Sequence, residues 1–323
     1  MRARHLFLIL ILAGLGIGAF LIGLKNAVKE EEKKPSKPHA AAPQKAPVRH
    51  ETPPASSVIE VRTPSPEPSS PPGPAQDEKL LSMINELPEN EGKIAIIIDD
   101  CGNDLKTAED FMDSGFPLTL AVMPKLRYST KIAVEAKSKN QAVILHLPME
   151  PVSEINPGPG EIKTGMTPEE VEKIVAEDLQ SVPGAEGINN HEGSKATRDE
   201  KVMAELMSGI KSRNLYFVDS LTVKDSLGAS EAEKAGVPFA RRKIFLDNNN
   251  DGEYICGQLI KLARTAKTEG YAIGIGHVRK STFEALKKYL PLLQEKGITI
   301  VPLNDLINKN IQTGSSSERG TRN

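Results

Sequence analysis

The chain has 323 residues, enough for two average domains or for one large α/β domain. Its 41 basic and 43 acidic residues give a net charge of −2, so no overall positive charge is available to bind nucleic acid. Tryptophan is absent and aromatic residues make up 4% of the chain, which argues against a large stacking platform for bases or sugar rings.

The first predicted element is an unbroken apolar run of 19 residues, Leu6 to Leu24. It is long enough to cross about 30 Å of hydrocarbon as a helix. Arg2 and Arg4 precede it, so the positive-inside rule keeps the start cytoplasmic and exports the rest of the chain. We therefore expect residues 1–25 to be a single-pass membrane anchor with the folded domain outside the cytoplasm. The alternative is a cleaved signal peptide, which would give a secreted protein.

A proline-rich stretch comes next, with 12 of the 24 prolines between Pro35 and Pro74. It lacks apolar periodicity, so no hydrophobic burial offsets the entropy lost on ordering. We predict that residues 26–76 are a disordered spacer that holds a domain away from the membrane. Residues 77–87 have helical apolar spacing and are expected to form a short helix. The polar residues 311–323 are expected to be a flexible tail.

From Gly92 onwards, apolar strands alternate with amphipathic helices, which predicts a parallel sheet with right-handed crossovers. Seven or eight such repeats within residues 77–310 suit a (β/α) barrel. The predicted strands are 94–98, 118–122, 142–146, 185–189, 216–219, 244–246, 271–276 and 298–301, and the predicted helices are 104–114, 128–139, 167–181, 198–213, 252–269 and 281–294.

The strand at 94–98 ends in two adjacent carboxylates, Asp99 and Asp100. Side chains alternate along a strand, so we expect these two to point in different directions, one binding a cation and the other moving a proton. Active sites of α/β folds gather at the carboxyl ends of strands. The alternative is a plain turn before a helix, with Asn103 or Asp104 as its N-cap.

All three histidines of the predicted domain, His146, His191 and His277, lie at the ends of predicted strands. A lone histidine there is usually a hydrogen-bonded structural residue, but three on the rim that carries Asp99 and Asp100 indicate a common site. One carboxylate and two imidazoles leave a coordination position for water, as in catalytic Zn²⁺ sites. Water bound there becomes acidic enough to be a nucleophile near neutral pH.

Other polar residues flank predicted strands: two carboxylates lie at carboxyl ends, and two arginines come just before the strand at 244–246. For each of them a supporting role at the site and a purely structural role stay open. They are Asp219, Arg241, Arg242 and Asp247. The two cysteines, Cys101 and Cys256, are expected to be small buried apolar residues, with a thiolate metal ligand at Cys101 as the alternative.

Taken together and in this order, the segments IAIIIDDCGN, ILHLPMEP, GINNHEGS, YFVDS, FLDN and IGIGH resemble the divergent polysaccharide deacetylase family, a branch of the NodB-like carbohydrate esterases. The resemblance runs from Lys93 to Ile307. It implies a distorted (β/α) barrel of about seven parallel strands. It also implies a divalent metal, Zn²⁺ above all, and hydrolysis of acetyl groups on a polysaccharide such as peptidoglycan.

The resemblance also implies the residue roles. Asp99 resembles the catalytic base, and Asp100, His146 and His191 resemble the metal ligands. His277 resembles the catalytic acid, with Asp219 or Asp247 holding its orientation.

The chain departs from the usual deacetylase pattern in two places. His146 and His191 are 45 residues apart instead of sharing a His-x-x-x-His segment, and the Arg-x-Pro-Tyr segment is absent, with Arg241 or Arg242 as its suggested substitute. Two alternatives to an active deacetylase therefore stay open. One is a catalytically inactive glycan-binding or cell-wall regulatory module on the same fold. The other is a metal-dependent phosphoesterase or receiver-like Mg²⁺ pocket. The histidine nitrogens at the strand ends argue against it, because Mg²⁺ prefers oxygen ligands.

Overall fold

The computed structural model describes residues 74–307. The strands are β1 (Gly92–Cys101), β2 (Thr119–Val122), β3 (Ala142–Met149), β4 (Gly187–Glu192), β5 (Tyr216–Asp219), β6 (Phe239–Arg241), β7 (Ile244–Phe245), β8 (Tyr271–His277) and β9 (Ile298–Ile300). The α-helices are α1 (Pro74–Asn85), α2 (Leu105–Met112), α3 (Ser129–Ser138), α4 (Pro168–Ser181), α5 (Glu200–Ser212), α6 (Gly228–Ala235), α7 (Gly252–Glu269) and α8 (Lys280–Glu295), and residues 303–307 are also helical.

Several predictions about the two ends of the chain lie outside the described residues. They are the membrane segment Leu6–Leu24, the spacer as far as residue 73, and the tail 311–323. Between residues 74 and 307, no helix is both long enough and apolar enough to span a bilayer. The predicted short helix is present as α1, and it begins at Pro74, inside the stretch assigned to the spacer.

All strands pair in parallel in one curled sheet, in the order β6-β5-β4-β3-β2-β1-β8-β7, and β9 pairs with the start of β1. The parallel α/β class is therefore confirmed, but the barrel is not closed. β6 ends at Arg241 and β7 begins at Ile244, so only two residues separate two strands that run in the same direction. Parallel neighbours need a long crossover, and β6 and β7 consequently lie at opposite ends of the sheet.

The two faces of the sheet bury two separate sets of apolar residues. Ile94, Ile96 and Ile98 of β1 pack with the surrounding helices. Ala95 and Ile97 point to the concave interior, because side chains alternate along a strand. The interior is completed by the last described residues, Val301, Leu303, Leu306 and Ile307. Asp99 continues the series of Ala95 and Ile97, which aims its side chain into the interior at the carboxyl end.

The predicted helices are confirmed with small shifts of their ends, and their start signals explain where they begin. Thr167 and Glu170 form a reciprocal capping box at the start of α4. Asp104 caps α2 by accepting from the backbone N–H of Thr107 at 3.0 Å. The short elements β6 and α6 were missed, and the three residues of β6 are too few to show an alternation.

The packing of residues 301–307 inside the curled sheet gives a test of the fold. Leu303 is wholly buried, so Leu303→Ala should leave a cavity and lower the free energy of unfolding by about 2–5 kcal/mol. Val134 on α3 is 54% exposed, and Val134→Ala should cost less than about 0.5 kcal/mol. Urea unfolding of both variants measures the difference. Equal midpoints would contradict the interior position of Leu303.

Candidate metal and acid–base site

Three side chains from β1, β3 and β4 bring their ligand atoms together at the carboxyl-end rim. Asp100 Oδ1 lies 3.3 Å from His146 Nε2 and 3.1 Å from His191 Nδ1. The two imidazole nitrogens are 3.0 Å apart. A tetrahedral metal with bonds of about 2.0–2.2 Å places neighbouring ligand atoms about 3.3 Å apart. The three atoms can therefore share one divalent cation.

The chemistry of this donor set supplies a second test of the fit. Asp100 Oδ1 is buried and makes no hydrogen bond of acceptable geometry within residues 74–307. Burial alone would raise the pKa of Asp100, but contacts with His146 and His191 and their charges lower it well below its usual range. Burial alone would lower the pKa of His146, and the negative charges of Asp99 and Asp100 raise it to about 9. The surroundings therefore favour positive charge, and a cation would satisfy the buried oxygen.

The backbone of β1 explains how two adjacent carboxylates reach one pocket. The expectation that Asp99 and Asp100 point apart is wrong. Asp100 has a φ of 62°, in the left-handed region, and the pairing of β1 with β2 shifts register between Ile98 and Cys101. Regular alternation therefore ends at Asp99. Asp99 Oδ2 lies 3.6 Å from His146 Nε2, the same nitrogen that Asp100 approaches.

Asp99 is buried beside the three candidate ligands but is not one of them. Its Oδ1 accepts a hydrogen bond from Asn189 Nδ2 at 2.9 Å. Burial raises the pKa of Asp99, and the positive charges of His146 and His277 partly offset that effect. A carboxylate with a raised pKa next to a cation site is suited to take up a proton.

His277 pairs with Asp99 in the register of β8 and β1. Asp247 holds its ring, with Oδ1 2.7 Å from Nδ1, while Asp247 Oδ2 accepts from the backbone N–H of His277 at 2.7 Å. Burial alone would lower the pKa of His277, but the hydrogen bond and charge of Asp247, together with Asp100 and Asp99, raise it. The bond at Nδ1 leaves Nε2 as the nitrogen that can give up a proton.

Of the four suggested supporting residues, the structure places Asp247 and Arg242 at the site. The Arg242 side chain is half-buried and donates to the backbone carbonyls of Ser220 and Leu221 at 2.7 and 2.9 Å. Its guanidinium lies 3.7 Å from the centre of the Phe245 ring, and that ring stacks on His277. Burial lowers the pKa of Arg242, and the charges of Asp219 and Asp99 oppose that shift.

For Asp219 and Arg241 the structural alternative holds, because the structure does not bring either side chain to the site. Val218 faces the interior, and side chains alternate along a strand, so Asp219 points outward. There it packs against Gly228, so closely that a Cβ at that glycine would lie 2.8 Å from Asp219 Oδ2. Asp219 Oδ1 accepts a hydrogen bond from the backbone N–H of Leu221 at 2.9 Å. Of the two aspartates suggested to orient His277, it is Asp247 that contacts the ring. The side chain of Arg241 is exposed at the open edge of β6.

Sequence reasoning missed Asn189, which contacts both Asp99 and His146. The available signal was its position two residues before His191, in a predicted strand where an apolar residue is expected. Cys101 and Cys256 are both buried in the apolar core, as predicted. The alternative of Cys101 as a metal ligand is wrong, because burial raises its thiol pKa and its Sγ donates to the carbonyl of Ile98.

The fold and these side chains define an α/β protein with a candidate metal and acid–base site at the carboxyl ends of a parallel sheet. Residues 96–307 match the family described as divergent polysaccharide deacetylase, and the chain belongs to that family. The family membership predicted from the sequence segments is thereby confirmed.

Two bacterial relatives share most of the chain. The uncharacterised protein YibQ of Escherichia coli K12 is 32% identical over 230 residues, which is 71% of each chain. An uncharacterised protein of Haemophilus influenzae is 34% identical over 216 residues, covering 67% of this chain and 77% of the relative. The crystal structure of an uncharacterised protein from Agrobacterium tumefaciens C58 has a TM-score of 0.64 at 21% identity, covering 70% of this chain and 94% of that one, which shows a shared fold.

The convergence on Asp100 predicts one divalent metal ion per chain. Asp100→Ala should abolish metal retention, because it removes one of three ligand atoms. Asp99→Asn should retain the ion, because Asp99 is not part of that triad. Elemental analysis of the two purified variants beside the wild type measures the stoichiometry. Equal metal loss in both variants would contradict this division between the two carboxylates.

Proposed function

We propose that the chain is a metal-dependent hydrolase that removes acetyl groups from a polysaccharide, peptidoglycan or a related glycan. The observation that carries this proposal is the pairing of Asp99 with His277 beside the three convergent ligand atoms. One site then contains a cation position, a buried carboxylate that can accept a proton and an imidazole that can donate one. Acyl transfer from a sugar amide needs these three functions.

Asp100, His146 and His191 would hold the metal. Two imidazoles and one carboxylate suit Zn²⁺ or a similar transition metal better than Mg²⁺, which prefers oxygen ligands alone. When bound, such a metal lowers the pKa of water and polarises a carbonyl oxygen. Three protein ligands also match the number found in catalytic zinc sites.

Asp99 and His277 would carry the protons. Asp99 takes a proton from the attacking water, and its burial next to the cation site gives it the proton affinity that this step needs. His277 gives its proton to the departing amine, and Asp247 favours the protonated ring because it raises the pKa of His277. The ring cannot turn freely, since Asp247 also holds the backbone N–H of the same histidine.

The sequence and the family support the substrate class and the location. The apolar run Leu6–Leu24 and the two arginines before it support a single-pass anchor in the cell membrane, with residues 77–310 outside the cytoplasm. The proline-rich segment before α1 would let the domain reach a glycan at a distance from the bilayer. Family membership supports an acetylated polysaccharide as the substrate class.

Acetate release tests this function directly. The zinc-loaded chain should release acetate from an acetylated chitooligosaccharide or peptidoglycan fragment. Asp99→Asn should lower kcat by about 10²–10⁴-fold, the usual contribution of a general base. Asp113→Asn is the matched control, because that carboxylate is 63% exposed and pairs with Lys139 on the surface. A metal-loaded wild type that binds such glycans without releasing acetate would instead indicate an inactive glycan-binding module.

The pH profile tests the role of His277. The rate should fall as the pH rises through the pKa of His277, because only the protonated ring can donate. Asp247→Asn removes the charge that raises this pKa, so the alkaline limb of kcat/KM should move to lower pH. Thr282→Val is the comparison, since Thr282 Oγ1 donates to Asp247 Oδ2 at 2.6 Å without carrying charge. An unmoved limb in Asp247→Asn would show that His277 is not the acid.

A further inference from the structure

Asn189 on β4 joins the candidate base to a candidate metal ligand. Its side chain is wholly buried. Its Nδ2 lies 2.9 Å from Asp99 Oδ1, and its Oδ1 lies 2.9 Å from His146 Nδ1. One amide therefore connects side chains from β1 and β3. Both of its polar atoms are used in these two contacts, so Asn189 is not itself a metal ligand.

The two ends of this amide are not interchangeable. An ionised carboxylate only accepts hydrogen bonds, so the NH₂ group must face Asp99. The same nitrogen also donates to Ser220 Oγ at 3.3 Å. Ser220 is itself fixed, since its backbone N–H donates to Asn190 Oδ1 at 2.9 Å. With both hydrogens of the amide directed to these acceptors, its oxygen has to face His146.

The orientation of the amide fixes the protonation of the imidazole. An oxygen opposite Nδ1 requires a hydrogen on Nδ1, so neutral His146 carries its lone pair on Nε2. Nε2 is the nitrogen that lies 3.0 Å from His191 Nδ1 and 3.3 Å from Asp100 Oδ1. Without the amide oxygen of Asn189 at Nδ1, this contact would no longer favour the His146 tautomer whose Nε2 lone pair can bind a metal.

We propose that Asn189 is a positioning residue that holds His146 in its metal-binding tautomer and Asp99 in its reactive orientation. Metal retention and proton transfer then depend on a single buried amide. This inference rests on the proposed function. Outer partners of metal-ligating histidines typically contribute about 10–100-fold to metal affinity or activity, so the effect is large enough to measure.

Two substitutions separate the two contacts. Asn189→Asp keeps an acceptor for His146 Nδ1–H but replaces the donor to Asp99 with a negative charge. It should change zinc affinity by less than about threefold while lowering kcat about 10-fold or more. Asn189→Leu is similar in size and removes both contacts. It should weaken zinc binding about 10–100-fold as well as lower kcat.

Zinc affinity is measured by competition with a chromogenic chelator, and kcat by acetate release, on the full chain. Asp113→Asn is the control, because its carboxylate is 63% exposed on the surface, and it should stay within about threefold in both measurements. Thermal melting checks that each variant is folded. If Asn189→Leu does not fold, Asn189→Asp still decides whether the two contacts separate.

The outcomes distinguish this inference from the function on which it rests. A wild type that neither retains zinc nor releases acetate would overturn both. A wild type that does both, with zinc affinity unchanged in Asn189→Leu, would overturn the role of Asn189 alone. Equal losses of zinc affinity in Asn189→Asp and Asn189→Leu would also overturn it, because a merely structural residue would give that pattern.

Discussion

Strand β1 pairs with β8 along most of its length, with β2 at its carboxyl end and with β9 at its start. Residues 94–98 are wholly buried on both faces of the sheet. A polar side chain inside such a strand would lose its water without gaining a partner, so polar chemistry can begin only at Asp99. All the strands run in one direction, so His146 of β3, His191 of β4 and His277 of β8 lie beside the end of β1.

Burial of so much charge at this rim is stable only because opposite charges share it. Asp99 and His146 are each about 2% exposed, and either ion alone would carry a large desolvation cost. Asp99 is compensated by His146 and by the amide of Asn189, and His146 is compensated by Asp99 and Asp100. Because of this mutual dependence, His277, Asp99 and the candidate cation position are parts of one electrostatic unit.

The sequence was sufficient for the alternation of strands and helices, because buried β-branched runs and capped amphipathic helices are strong local signals. It also identified Asp100, His146 and His191 as a set, since each lies at or within two residues of the carboxyl end of a predicted strand. It could not reveal the left-handed turn at Asp100, which depends on a register shift against β2. Nor could it find Asn189, whose importance comes from contacts with residues 43 and 90 positions away.

Local sequence patterns also could not predict that the barrel stays open between β6 and β7, or that the side chain of Asp219 points outward. Whether a strand-end carboxylate faces inward depends on the exact residue at which the strand stops, and strand ends are the least reliable part of a sequence-based assignment. Asp219 and Asp247 look alike in the sequence, yet only Asp247 has the inward parity that reaches His277.

The position of β1 in the sheet also affects how the chain is made. Its neighbours β8 and β9 are encoded about 170–200 residues later, which at about 5–20 residues per second is a delay of roughly ten to forty seconds. During synthesis the run IAIII has the composition of an aggregation-prone segment. Lys93 before it, and Asp99 and Asp100 after it, are gatekeeper charges that oppose self-association of the nascent chain.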